Sequence, residues 1–324
     1  MQYPLHRLHT NQTRYGSALA AALLFVALLV PVAPVFAEDG PSTDNNTTVS
    51  SSEVAEALRE TTGVLAASDQ TPTTSDTDSA IQAVTAGASV DVPKDASDGV
   101  TLGSSDGSKP AIDISLPNAD AAGDAKQVAP GTVAYPANNG SANAVQATED
   151  GGVRMLTVID NPSAPTAYEY KVTVPGGGRI ELTGDGGAVI LSADDGIVSV
   201  IEKPWAKDAN GVPVETHFTT DGQKLTQHVT HDVAGVAYPV TADPRFFWAW
   251  HGVTIVFNRD ETKYAAMGAS TYIGARIGGA MAAAVFSVGG EWTADRANAR
   301  GLCLAYYQSH YYWWVRSTYI TRCI

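Results

Sequence analysis

Six short runs at 154–159, 168–174, 179–183, 188–191, 197–201 and 224–229 limit this chain to few folds, because they either alternate apolar and polar residues or run β-branched. A period of two puts every second side chain on one face of a strand, whereas a helix needs a period of 3.6. The intervals at 149–152, 184–187, 194–196 and 221–222 each contain Asp-Gly. That dipeptide supplies the positive φ angles of tight hairpins. About eight to ten antiparallel strands, with turns every eight to twelve residues, predict a sandwich or a roll over 78–243. Val-Ala-Tyr-Pro occurs at 133–136 and again at 236–239, and both copies are expected to be edge strands ending at proline.

Upstream, Arg7 and Arg14 stand in a stretch without acids, and an unbroken apolar run follows at 18–30. Pro31 and Pro34 interrupt it, and Val35-Phe36-Ala37 leads to Glu38. A charged start, a short apolar middle and a small-residue exit make a secretory signal over 1–37, cut between Ala37 and Glu38. The apolar run rises only about 20 Å as a helix, short of the roughly 30 Å hydrocarbon core. The expected location is therefore secreted or associated with the cell envelope. In an oxidising compartment the two cysteines, Cys303 and Cys323, are expected to form a disulfide.

Charge divides the chain further. Residues 1–37 carry +2, 38–150 carry −14, 151–243 carry −6 and 244–324 carry +4. Of the 26 aromatic residues, 16 lie in the last 81 positions. The net −14 excludes nucleic acid as the partner of the acidic part, since phosphate contacts need a basic surface. Residues 38–77 are rich in Ser, Thr, Asp and Asn and predict a disordered acidic spacer. One short helix at 51–65, with Val54, Ala57 and Leu58 on one face, is marginal there on its own.

Three phrases carry a resemblance: Gly-Gly-Val-Arg-Met-Leu-Thr-Val-Ile at 151–159, Lys-Pro-Trp-Ala-Lys-Asp-Ala-Asn-Gly-Val-Pro-Val at 203–214 and Ala-Tyr-Pro-Val-Thr-Ala-Asp-Pro at 237–244. They resemble a region of uncharacterised secreted actinobacterial proteins, in which a signal peptide, an acidic leader and a β-rich part precede variable C-terminal modules. The resemblance implies secretion, a boundary at Asp243-Pro244 and a tail that carries the effector role. It brings no catalytic residues.

The tail, 244–324, predicts a small α+β module closed by the cysteine bridge. Gly252–Phe257 is strand-like, Asn258 or Asp260 can cap a helix, and 264–288 is helical with a break near 268–271. A short helix over 291–300 ends at Gly301, and strands follow at 302–307 and 313–320. The bridge closes a loop that contributes about 3 kcal/mol on a chain-entropy estimate. This layout also resembles a small secreted actinobacterial module. Residues 267–288 carry one charge, Arg276, and Ile273, Ile277, Met281, Ala284 and Val288 form a stripe at helical spacing. A core helix is favoured over membrane contact by 273–288, because a mid-helix arginine costs roughly 2.5–3.5 kcal/mol in a bilayer.

The densest aromatic patch contains Tyr306, Tyr307, Tyr311, Tyr312, Trp313, Trp314 and Tyr319 with His310, Arg316 and Arg322. On strands about half of these pack inward; the rest stand exposed beside cations, so Tyr311, Tyr312, Trp313, Trp314 and Arg316 are the binding candidates. No His-Glu-x-x-His or phosphate loop occurs. His228 and His231, with Asp232, are the best metal-ligand spacing, but on one strand the two rings face opposite ways. No catalytic, cofactor or metal residues are assigned. The expectation is a secreted, non-enzymatic protein whose tail binds an unknown extracellular or envelope partner. The alternatives are a bacteriocin-like tail acting on competitor membranes and a secreted hydrolase.

Overall fold

The computed structural model describes residues 48–65, 73–85, 87–184, 186–194, 196–249, 252–277, 279–309 and 315–323. The expected signal over 1–37 and its Ala37-Glu38 junction lie outside these residues. The chain from Asn45 onward forms one compact unit. In chain order it holds α1 (Ser51–Glu60), then β1 (Ser79–Thr85), β2 (Ala88–Pro93), β3 (Val100–Ser104), β4 (Ile112–Ile114), β5 (Lys126–Ala129), β6 (Thr132–Tyr135), β7 (Ser141–Ala147) and β8 (Gly152–Ile159). Next come β9 (Ala167–Thr173), β10 (Gly178–Leu182), β11 (Ala188–Ser192), β12 (Ile197–Ile201), β13 (Trp205–Lys207), β14 (Thr216–Thr220), β15 (Lys224–Val229), β16 (Val240–Asp243) and β17 (Arg245–Trp248). The C-terminal part adds β18 (Gly252–Val256), α2 (Arg259–Ala266), α3 (Ser270–Ile277), α4 (Gly279–Ser287), α5 (Gly290–Ala299), β19 (Cys303–Ser309) and β20 (Arg316–Thr321).

The body is an antiparallel sandwich. One sheet runs β1-β2-β3-β4-β9-β15-β14; the other runs β10-β11-β12-β17-β8-β7-β6-β5, with β16 also on β8 and β13 on β16. Their facing sides share one core, with Leu102, Tyr168 and Tyr170 from the first sheet and Met155, Ile190 and Phe246 from the second. The first sheet has a wet outer face, and β9 accordingly alternates exposed and buried at every step. The second sheet is an inner layer. Its strands β7, β8, β11 and β12 are buried at every residue.

Two different pieces cover the second sheet's outer face. Over one half lies α1, whose Val54, Ala57 and Leu58 pack on Ala142, Ala144, Leu156 and Val158. Ser50 and Glu53 form a capping box at its start, so both orphan ends there are satisfied. The expected disordered spacer is therefore folded where it is described at 48–65. The helix is marginal alone, but the alanines of β7 give it a close seat and a buried apolar face. Over the other half lies the sheet β18-β19-β20, whose Ala305, Tyr307, Val315 and Tyr319 pack on Val189, Leu191, Val200 and Phe247. Helices α2 to α5 cover its far side through Phe257, Ile273, Val285, Ala294 and Tyr306.

Several expectations change here. The boundary at Asp243-Pro244 falls inside the inner sheet, where β16 and β17 both pair with β8 and the Pro244 carbonyl accepts from Met155 N–H. The tail is thus joined to the body by a strand as well as by a core. Of the two Val-Ala-Tyr-Pro copies, the first lies in interior strand β6, between β5 and β7, and the second in a loop with a cis Tyr238-Pro239 bond. The apolar stretch 267–288 is divided: α2 closes on Gly268, and α3 and α4 follow as helices of 8 and 9 residues. Ile273, Ala282, Val285 and Val288 are core residues, and among the described residues no helix is long and apolar enough to cross a membrane. Asn258 caps α2, and Gly301 ends α5 with φ +67°.

The joint between body and tail depends on two glycines. A Cβ at Gly184, in the β10–β11 turn, would collide with the Gly289 backbone, and one at Gly289 with the Gly184 backbone. Gly289 also has φ +77°, which disfavours any side chain. Cys303 and Cys323 are joined as a disulfide that ties the start of β19 to the second residue after β20.

Candidate functional site

A cleft of about 370 Å³ opens where the inner sheet meets the tail. Three elements form it. β12 runs out through Glu202 and Lys203, β17 presents Phe247, and the start of β20 presents Val315, Arg316 and Ser317. Val200, Phe247, Val288 and Val315 supply buried apolar walls. Glu202 and Lys203 are exposed, and Arg316 is half-buried.

The local folding explains this placement. Glu202 N–H donates to the Arg245 carbonyl, so the inner sheet holds the end of β12. Arg316 faces Gln308 across the β19–β20 ladder, and Gln308 Oε1 accepts from the Tyr306 hydroxyl at 2.8 Å. Burial pushes the Tyr306 phenol above its usual range, and the nearby Arg316 cation opposes that rise. Ser317 is 2% exposed, and its hydroxyl has no hydrogen-bond partner among the described residues. The volume suits a small molecule, and sites of this kind favour domain junctions.

Of the five binding candidates, Arg316 lines this cleft. Tyr311, Tyr312, Trp313 and Trp314 lie outside the described residues and directly precede Val315 in the sequence. The other strand tyrosines are core. Tyr306 packs toward the helices, and Tyr307 and Tyr319 pack toward the inner sheet, where Tyr307 Oη donates to the Ala249 carbonyl. Exposed aromatics stand instead on the helices, at Tyr264, Tyr272 and Trp292, and Arg296 lies over the Trp292 ring. Ser317 and Lys203 carried no local signal; only the pairing of distant strands brings them to Arg316.

A second polar cluster lies within the inner sheet. Arg154 Nε is 3.6 Å from Asp243 Oδ2, and Arg154 Nη1 donates to Gln146 Oε1 at 2.9 Å. Gln146 Nε2 donates to the Val64 carbonyl, which anchors the segment after α1. Burial pushes the Asp243 carboxyl up to about 7, against the lowering effect of Arg154. These groups face packed protein and serve as an internal clamp.

His228 and His231, whose spacing is the best metal-ligand pattern in the sequence, are separated. His231 is fully buried, with Nδ1 on the Tyr238 hydroxyl and Nε2 on the Pro165 carbonyl. His228 instead pairs across strands with His217. No family model, no curated protein and no solved structure matches the chain.

Proposed function

We propose that this is a secreted, non-enzymatic binding protein that takes a small anionic amphiphile from the cell exterior or envelope into the cleft between body and tail. The observation that carries this reading is the meeting of buried apolar walls with two cations, Arg316 and Lys203, at one cleft. The walls accept an alkyl group, and the cations attract a carboxylate or phosphate. The disulfide and the N-terminal sequence pattern support an exterior location. The divided helices of the tail count against a membrane-inserting role.

The test uses purified full-length secreted protein with octanoate and hexyl phosphate, and with octyl glucoside as an uncharged control. Saturable calorimetric binding of an anion, lost in Val288→Trp and weakened at least tenfold in Arg316→Gln, is expected. Binding that survives Val288→Trp, or no binding of either anion at millimolar concentration, overturns the reading. Mass spectrometry of the same secreted material checks the cut after Ala37.

A further inference from the structure

We propose that His217 and His228, a cross-strand pair on the outer face of the seven-stranded sheet, bind a divalent transition-metal ion of the zinc or copper type. The two are register partners on β14 and β15, and their ring centres lie 4.9 Å apart with planes 15° from parallel. His217 is exposed and His228 is half-buried, so the pair opens to solvent. Imidazole nitrogen is a preferred donor for zinc, copper and nickel. An ion bound at about 2.1 Å from each nitrogen needs the two nitrogens within about 4.2 Å of one another. Imidazole lone pairs lie in the ring plane, so one ring, the exposed His217, turns out of the stacked arrangement about its Cβ–Cγ bond to share an ion with His228.

A third residue already orients the pair. His228 Nε2 is 2.9 Å from Thr219 Oγ1, and Thr219 lies two residues beyond His217 on the same face of β14. With Nε2–H donating to that hydroxyl, the Nδ1 lone pair of His228 is left for the ion. Metal-bound histidines usually carry such a partner on their second nitrogen. His231 shows the contrast, with both nitrogens bonded inside the protein. Among the described residues no third His, Cys, Asp or Glu converges on the pair, so water completes the coordination and the ion is exchangeable.

The test is calorimetric titration of chelator-treated full-length protein with zinc chloride, repeated with copper chloride. One ion per chain is expected, with at least tenfold weaker binding in His217→Ala and in His228→Ala and a smaller loss in Thr219→Ala. Both histidines stand on an open face, and circular dichroism melts checks that the variants remain folded. Absence of saturable binding at millimolar metal, or binding unchanged in both histidine variants, overturns the proposal.

Discussion

The two sheets of the sandwich differ in what lies behind them. The seven-stranded sheet has one face in water, so β9 and β15 alternate along their length. The inner sheet has protein on both faces, so β7, β8, β11 and β12 are buried throughout. Identical backbone pairing thus hosts two electrostatic environments. On the outer sheet, Lys224 and Glu169 pair at 2.9 Å, with roughly half of each side chain in solvent. In the inner sheet, Arg154 and Asp243 pair with less than a tenth of each exposed. A charge in the first place can turn to water, and a charge in the second cannot.

The sharpest way to break the comparison is Asp243→Ala. Arginine cannot lose its proton in a protein, so removing Asp243 takes a carboxylate away from a buried cation that stays charged. Destabilisation of about 3–5 kcal/mol is expected by urea denaturation. Arg154→Leu should cost less, because an orphaned Asp243 can take up a proton. The same pair has a pH signature. Asp243 is raised to about 7, so between its ordinary value near 4 and about 7 the folded state holds a proton that the unfolded chain has released. Stability from this group therefore falls as pH rises through that window and is flat on either side. Asp243→Asn should remove that slope, seen as the difference between wild-type and variant stabilities at pH 4.5 and 7.5. Parallel curves would mean that Arg154 keeps Asp243 ionised throughout.

The next largest effect concerns the tail, which covers half of the inner sheet. Cys303→Ser together with Cys323→Ser should cost about 3 kcal/mol, since the bridge closes a loop with residues 20 apart in sequence. Because the tail shares a core with Val189, Leu191 and Phe247, its loss of order should uncover the inner sheet. The thermal midpoint should then fall in one step for body and tail together. Two separate transitions would show that the tail folds independently of the sheet it covers.

The same contrast governs what the sequence reveals. Alternation is legible where one face meets water, and β9 and β15 fall at 168–174 and 224–229 to within a residue or so. The apolar runs of β11 and β12 are legible as well. The segment Ser-Ala-Asn-Ala-Val-Gln-Ala of β7 is not, because alanine and asparagine have low strand propensity. Its small side chains suit a layer pressed between α1 and the other sheet, a requirement only the assembled fold imposes. The same logic hides the cleft. Lys203, Phe247 and Ser317 are far apart in sequence, and Arg316 was singled out by its aromatic neighbours instead of by its cleft.

A smaller effect is expected at the seam between body and tail. Gly289→Ala adds a methyl group against the Gly184 backbone at a positive φ, and about 2 kcal/mol is expected from backbone strain and overpacking. Gly222 also has positive φ, but a Cβ there meets nothing within 4 Å, so Gly222→Ala isolates the conformational part. A larger loss at Gly289 than at Gly222, by thermal denaturation, measures what close approach adds at the covered sheet.

The least disruptive substitution should be Lys224→Ala. Hydrogen bonding and charge from Glu169 raise the lysine's pKa, yet its ammonium remains in solvent. Exposed ion pairs gain little in water, because a held side chain loses rotamer freedom and salt screens the attraction. The thermal midpoint should therefore be unchanged within error, in low salt and in high salt alike. A clear loss that shrinks as salt is added would show that the outer face of the seven-stranded sheet is less solvated than its alternating burial indicates. The contrast between the two sheets would then rest on packing alone and not on access to water.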